Sequence, residues 1–261
     1  MNKGELDELK CKIYLTYLRD SKKAFFGNQI RQLGNTSGQN YSDFDMAGHD
    51  IAAIKRMDER QIEYIAQRLG ISKSPTRAKA DVFINGIGIS LKSLRAAPPA
   101  IVNHTARPGF EAACQYANVN IDDLDTIIAR YWELRLRGII AEDTKINDPY
   151  CPFNGSQNVL RPVLEYFLFS GTGSGLSEYP AQAVLEFDDP FDVTAYRILD
   201  PEQTVDDIWD NLVFSLRAKK GMPKNYDPET YSGINAASIA KWVEYIDGDY
   251  RGALHIRTRR G

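Results

Sequence analysis

Residues 79–95 read KADVFINGIGISLKSLR, and the Asn85-Gly86 pair at their centre decides how the stretch folds. Both central positions of a type I′ turn need positive φ, so Asn-Gly between apolar runs predicts a two-residue β-hairpin. With that turn closed, Ile84 faces Ile87, Val82 faces Ile89 and Asp81 faces Ser90. Side chains alternate between the two faces of a strand, which puts Ala80, Val82, Ile84, Ile87, Ile89 and Leu91 on one apolar face. Asp81, Ser90 and Lys92 share the other face with Phe83 and Gly88, within cross-strand reach. A carboxylate, a hydroxyl and an ammonium thus converge on one side of an anchored hairpin. An exposed cross-strand ion pair has the same pattern, so spacing alone leaves a structural and a chemical role open.

Outward from the hairpin, residues 6–18 carry Leu6, Leu9, Ile13, Leu15 and Leu18 at helical spacing. Residues 34–42, GNTSGQNYS, are a polar turn-rich loop. Asp50 then caps one helix with the stripe Ile51, Ile54, Met57, Ile62, Ile65 and Leu69, stopped by Gly70. Lys55, Glu59 and Glu63 follow i,i+4 spacing on its polar side. Past the hairpin, a Pro-bearing loop over 96–108 leads to a short helix over 109–116, and further helices are expected over 120–137 and 157–169. Strands are expected over 181–187 and 193–199, around the turn Asp188-Asp189-Pro190. Asp200-Pro201-Glu202-Gln203 is a helix start whose helix should carry Val205, Ile208, Leu212 and Leu216 inward. A strand over 252–258 leads into Arg257, Arg259 and Arg260. Helices before and after a central group of strands give an α/β or α+β class. No convincing linker divides the chain, so residues 1–261 read as one domain with a helical N-terminal part.

The 261 residues include 43% hydrophobic and 26% charged positions, the balance of an ordinary globular protein, with a formal net charge of −3. Any nucleic-acid contact must therefore come from a local basic patch. Lys73, Arg77 and Lys79 precede the hairpin, and Arg95 and Arg107 follow it. The basic loop around Lys219, Lys220 and Lys224 and the terminal arginines are the other such groups. Cys11, Cys114 and Cys151 show no C-x-x-C spacing, which argues against a disulfide framework or zinc site and points to the cytoplasm. The N-terminus lacks a signal-peptide core, and no run of eighteen apolar residues is present, so no membrane span is expected. His49, His104 and His255 lack i,i+4 pairing, the acid clusters Asp43/Asp45, Asp122/Asp123/Asp125 and Asp188/Asp189/Asp192 lack EF-hand spacing, and the GTGSG at 171–175 lacks the lysine and following helix of a P-loop.

The pattern Asp81 … Ser90-Leu91-Lys92 resembles the core of type II restriction endonucleases of the PD-(D/E)xK nuclease superfamily, over about thirty residues. Asp81 matches the first acid and Lys92 the lysine. Ser90 stands where the second acid is expected, and some restriction enzymes with S-x-K recruit a Glu from the following helix. Glu111 is the first acid after Lys92, and Glu63, on the preceding helix, is a secondary candidate. The resemblance implies a mixed central sheet flanked by helices, a restriction-endonuclease-like fold. It implies Mg²⁺ held by Asp81, Glu111 and the Leu91 carbonyl, with Asp81, Lys92, Glu111 and Ser90 as the catalytic set. It further implies sequence-specific hydrolysis of double-stranded DNA to 5′-phosphate and 3′-hydroxyl ends, by a homodimer or tetramer that a cognate DNA methyltransferase accompanies. Arg95, Asn103, Arg107, Lys219, Lys220 and Arg257 are the expected DNA-binding residues. Two alternatives stay open: a repair or recombination nuclease of the same fold, and a non-catalytic DNA- or protein-binding module, favoured by the serine at position 90.

Overall fold

The computed structural model describes every residue except Asp43, Thr76, Pro98, Pro99, Lys219, Arg260 and Gly261. The helices are α1 (Lys3–Asp20), α2 (Ile51–Lys55), α3 (Glu59–Arg68), α4 (Arg107–Ala117), α5 (Ile121–Leu136), α6 (Gln157–Glu165), α7 (Pro201–Trp209) and α8 (Ala236–Ala240). The strands begin with β1 (Ala24–Phe25), β2 (Asn28–Gln29), β3 (Leu33–Gly34), β4 (Val82–Ile84), β5 (Ile87–Ser93), β6 (Ala100–Thr105) and β7 (Thr144–Lys145). They continue with β8 (Gly171–Thr172), β9 (Gly175–Leu176), β10 (Ala183–Phe187), β11 (Tyr196–Leu199), β12 (Leu212–Arg217), β13 (Glu244–Ile246), β14 (Asp249–Arg251) and β15 (Ala253–Thr258). The class is mixed α/β, as expected. The chain forms two compact units: Met1–Ala97 with Ser177–Pro201, and Pro98–Leu176 with Glu202–Gly261.

The first unit is built on a mixed five-stranded sheet in the order β11-β10-β5-β4-β3. Strands β5 and β10 run parallel, and the other neighbours are antiparallel. Asn85 and Gly86 take φ values of 52° and 86°, and the register pairs Ile84 with Ile87 and Val82 with Ile89. The type I′ hairpin is therefore in place. Val82, Ile84, Ile89 and Leu91 are buried with Leu185 and Phe187, while Ile87, at the hairpin tip, is 51% exposed. Helix α1 starts with a capping box in which Asn2 and Glu5 satisfy each other's main-chain N–H groups. Its buried Cys11, Ile13, Leu15 and Leu18 belong to the same core, as do Ile62, Ala66 and Leu69 of the α3 region.

The helix expected to run unbroken from Asp50 to Gly70 is two helices. Asp58 accepts a hydrogen bond from the Gln61 N–H and the Gln61 side chain accepts from Asp58, a second capping box that starts α3 afresh. A short polar side chain competing for main-chain N–H groups overrides the continuous apolar stripe.

The second unit has an antiparallel four-stranded sheet, β6-β15-β12-β7. Leu212, Phe214, Leu216, Leu254 and Ile256 bury one face among residues of α4, α5 and α6. Leu212 and Leu216 therefore lie on β12 and not on an extension of α7, which ends at Trp209. Their separation of four suits either period, and Phe214 between them marks the strand. The helix expected to reach residue 169 passes into a π-helical turn over Tyr166–Ser170, and the Gly-rich stretch forms the β8–β9 hairpin. The strand expected from residue 193 starts at Tyr196, after a 3-10 turn.

On the other face of this sheet, the rings of His104 and His255 stack with centroids 4.4 Å apart. Gly221, at φ +76°, passes so close that a Cβ there would lie 1.8 Å from the His104 carbonyl oxygen. Burial, with His104, Arg217 and Arg257 nearby, lowers the His255 pKa from 6.5 to about 4. Between those values the unfolded chain binds a proton that the folded chain does not, so stability is complete above about pH 6.5 and declines as pH falls toward 4. The melting temperature should drop across this window, and His255→Gln should flatten that part of the curve. An unchanged slope would assign the loss to other groups.

Candidate active site

At the open end of the hairpin the β4–β5 ladder stops and Asp81 takes over from it. Its N–H donates to the Ile89 carbonyl at 2.9 Å. Its carboxylate Oδ2 accepts from the Leu91 N–H at 2.7 Å and from the Ser90 hydroxyl at 3.2 Å. The Leu91 N–H points to the edge of β5 that β4 no longer covers, so a charge-assisted hydrogen bond replaces a ladder bond. The Leu91 carbonyl points to that same edge, because N–H and C=O of one strand residue share a side. Oδ1 of Asp81 has no hydrogen-bond partner among the described residues.

Ser90 is buried, and Lys92 is half-buried one step along the same face. The Lys92 ammonium makes no hydrogen bond or ion pair among the described residues. Lys92 is in register with Glu186 on the parallel strand β10, where Arg197 holds the Glu186 carboxylate at 2.9 Å. Lys79 is partly buried on the approach to β4. Burial and the neighbouring Lys92 lower its pKa to about 8, against the pull of Asp81.

Another carboxylate near Asp81 is on α1. Glu8 is 21% exposed and is held at 2.7 Å by Lys12, whose side chain is fully buried and which also donates to the Ser72 carbonyl at 3.4 Å. Burial and the adjacent Asp81 carboxylate raise the Glu8 pKa, while Lys12 and Lys92 pull it back. Glu8 thus lies within the electrostatic field of both Asp81 and Lys92. Sequence reading missed Glu8. The signal was Lys12 between Cys11 and Ile13, a charge on the buried side of α1 that needs an acid one turn away.

Glu111 belongs to the second unit, where Arg107 engages it on α4. Glu63 is exposed on α3 and lines, with Glu5, Glu8 and Lys73, a cavity of about 340 Å³. Among the described residues no group of three or more His, Cys, Asp and Glu side chains is arranged to hold a metal ion. Mg²⁺ commonly uses one or two carboxylates and keeps several waters. The free Asp81 oxygen, the Glu8 carboxylate and the Leu91 carbonyl fit that mode.

Most of the expected DNA-binding cations are already engaged within their own unit. The Arg95 guanidinium pairs with buried Asp7 of α1, which also accepts from Ser93 at 2.6 Å. Arg107, only 3% exposed, gives two hydrogen bonds to Asp125 at 2.7 and 2.8 Å and one to Ser238 at 3.0 Å, besides its Glu111 pair. Arg257 pairs with Asp143 at 2.7 Å, an acid it shares with Arg217 and Arg259. Asn103 is exposed on β6 and lies 2.7 Å from the His104 Nδ1. Lys220 is exposed, whereas Lys219 and Arg260, like Asp43 of the first acid cluster, lie outside the described residues. Local acids consume these arginines, and sequence spacing does not reveal acids brought in by folding. Among the described residues, no helix is long and apolar enough to cross a membrane.

Comparison of the chain with protein-family models, curated proteins and solved structures gives no match.

Removing Arg107 leaves Asp125 beside a buried gap with its bidentate partner gone. Arg107→Ala should cost about 3 kcal/mol in urea denaturation, the lower end for breaking a buried ion pair because Asp125 retains some solvent access. A loss below about 0.5 kcal/mol, the range of ordinary surface substitutions, would show that the cluster carries no structural load.

Proposed function

We propose that this chain is a Mg²⁺-dependent endonuclease that hydrolyses phosphodiester bonds in double-stranded DNA, with its site at the Asp81 end of the hairpin. The observation that carries this reading is the Asp81 carboxylate seated on the Leu91 N–H where the β4–β5 ladder stops, with Glu8 in the electrostatic reach of Asp81 and of the unpaired Lys92 ammonium. Phosphoryl transfer needs charge stabilisation and positioning more than covalent chemistry from the protein.

The roles follow from the atoms. Asp81 Oδ1, the Glu8 carboxylate and the Leu91 carbonyl would hold the metal, which supplies charge neutralisation at the phosphate and an acidified water. Ser90, donating to Oδ2, fixes the Asp81 carboxylate so that Oδ1 faces outward. Lys92 orients the attacking water and stabilises the developing negative charge. Lys79 adds a second cation below about pH 8. Glu8 supplies the carboxylate absent at position 90, which favours an active enzyme over a binding module. Restriction of foreign DNA at a short sequence is the specific form proposed, in the cytoplasm, where the buried thiols of Cys11, Cys114 and Cys151 stay reduced. A palindromic target would call for a homodimer or tetramer, and protection of the host's own copies for a companion methyltransferase.

The test is digestion of phage DNA with Mg²⁺. Discrete bands are expected from the wild type, against general degradation or branched-substrate preference for a repair nuclease. Asp81→Ala, Lys92→Ala and Glu8→Gln should each lower the rate by two or more orders of magnitude, on the order of 3 kcal/mol in the barrier. Glu63→Gln and Glu111→Gln should cut at near wild-type rates. If Glu111→Gln abolishes cleavage and Glu8→Gln does not, the second metal ligand comes from α4 and the assignment of Glu8 fails. Intact DNA in both Mg²⁺ and Mn²⁺ would overturn the nuclease reading.

A further inference from the structure

While most of the arginines discussed above are bound to acids, a set of uncommitted hydrogen-bonding side chains gathers at the turn end of the hairpin, within the first unit. Residues 28–32 read NQIRQ, with Ile30 buried and Asn28, Gln29, Arg31 and Gln32 exposed. Together with Asn85 they line an open cleft of about 440 Å³. Every residue lining this cleft carries a side-chain amide or a guanidinium.

Asn85 does more than make the turn. Its Oδ1 accepts from the N–H groups of Arg31 at 2.7 Å and Gln32 at 3.1 Å. Its Nδ2 donates to the Gln29 carbonyl at 3.0 Å, and its own N–H donates to the Gln32 carbonyl at 2.9 Å. The β1–β2 pairing and the Leu33–Ile84 register hold the segment on either side. The main chain of 29–32 is thus fixed to the hairpin. The side chains of Gln29, Arg31 and Gln32, in contrast, have no hydrogen-bond or ion-pair partner among the described residues.

A rigid main chain presenting free amides and a free guanidinium matches the chemistry of a base-pair edge. Gln offers a donor and an acceptor to adenine N7 and N6, and Arg offers two donors to guanine O6 and N7. Asp81 and Asn85 are four residues apart on an extended strand, about 13 Å. The major groove of B-DNA is about 12 Å wide, so a backbone phosphate at Asp81 leaves the turn end within reach of base edges in the groove. We propose that Gln29, Arg31 and Gln32 read base-pair edges in the major groove of duplex DNA, with Asn85 as their positioning residue. The link to a cut phosphate rests on the nuclease reading; the binding itself does not require cleavage.

The experiment selects bound duplexes from a randomised DNA pool with the full chain in EDTA, so that nothing is cut. The wild type should yield a defined consensus. Arg31→Ala should relax discrimination at one G·C position about 5- to 150-fold, the equivalent of about 1–3 kcal/mol per bidentate contact. Gln29→Ala and Gln32→Ala should do so at other positions, A·T for a paired amide contact. Asn85→Gly keeps a residue suited to positive φ but removes the side-chain clamp, and should blur those positions together. A wild type that selects no consensus overturns the proposal, as does a consensus unchanged by all four variants. Cleavage in Mg²⁺ at a site indifferent to these substitutions would overturn this inference alone. A consensus that depends on them, without cleavage in Mg²⁺ or Mn²⁺, would uphold it and overturn the nuclease reading.

Discussion

The register between β4 and β5 is the constraint on which the first unit depends. Its apolar face, Val82, Ile84, Ile89 and Leu91, is buried in the core that includes α1 and β10, so those positions have no freedom to turn outward. Strand side chains repeat every two residues, and a slip of one would exchange the two faces completely. Burial of the apolar set therefore places Ser90 and Lys92 on the opposite side by necessity. The Asn85-Gly86 turn locks that choice of faces.

Electrostatics then sharpen that arrangement. A carboxylate entering a partly buried position beside another carboxylate is costly. Glu8 is accommodated because Lys12, buried on the same helix, neutralises it at 2.7 Å, and because the Lys92 ammonium is nearby. Asp81 solves its own problem differently, by accepting from a strand N–H and a serine hydroxyl. The two acids thus reach one place by separate means, one through a cation and one through neutral donors. Such an arrangement leaves Asp81 Oδ1 without a hydrogen-bond partner among the described residues.

The hairpin was legible in the sequence because its signal is local: one turn dipeptide, two alternating runs, and a register that follows by counting. Asp81, Ser90 and Lys92 came with it. Glu8 was not legible, since it lies more than seventy residues from Asp81 and reaches it only through the packing of α1 on the sheet. The partners of the basic residues were illegible for the same reason: folding brings Asp7, Asp125 and Asp143 to Arg95, Arg107 and Arg257. Local signals also misled where two periods coincide, as at Leu212 and Leu216, and where a cap interrupts a stripe, as at Asp58. Asn85 was read correctly as a turn residue, but its clamp on residues 29–32 required the tertiary fold.

The parallel pairing of β5 with β10 has a consequence for synthesis. Strand β5 ends at Ser93, and the strands that complete its sheet end at Leu199. Roughly 100 residues must be made between those points, which takes about 5–20 s at ribosomal rates of about 5–20 residues per second. During that interval the edge of β5 destined for β10 is an unpaired ladder of N–H and C=O groups on a growing chain. The polypeptide stitches its first unit closed only after most of the second has emerged, so the ribosome, by its pace, sets how long that edge stands open to other strands.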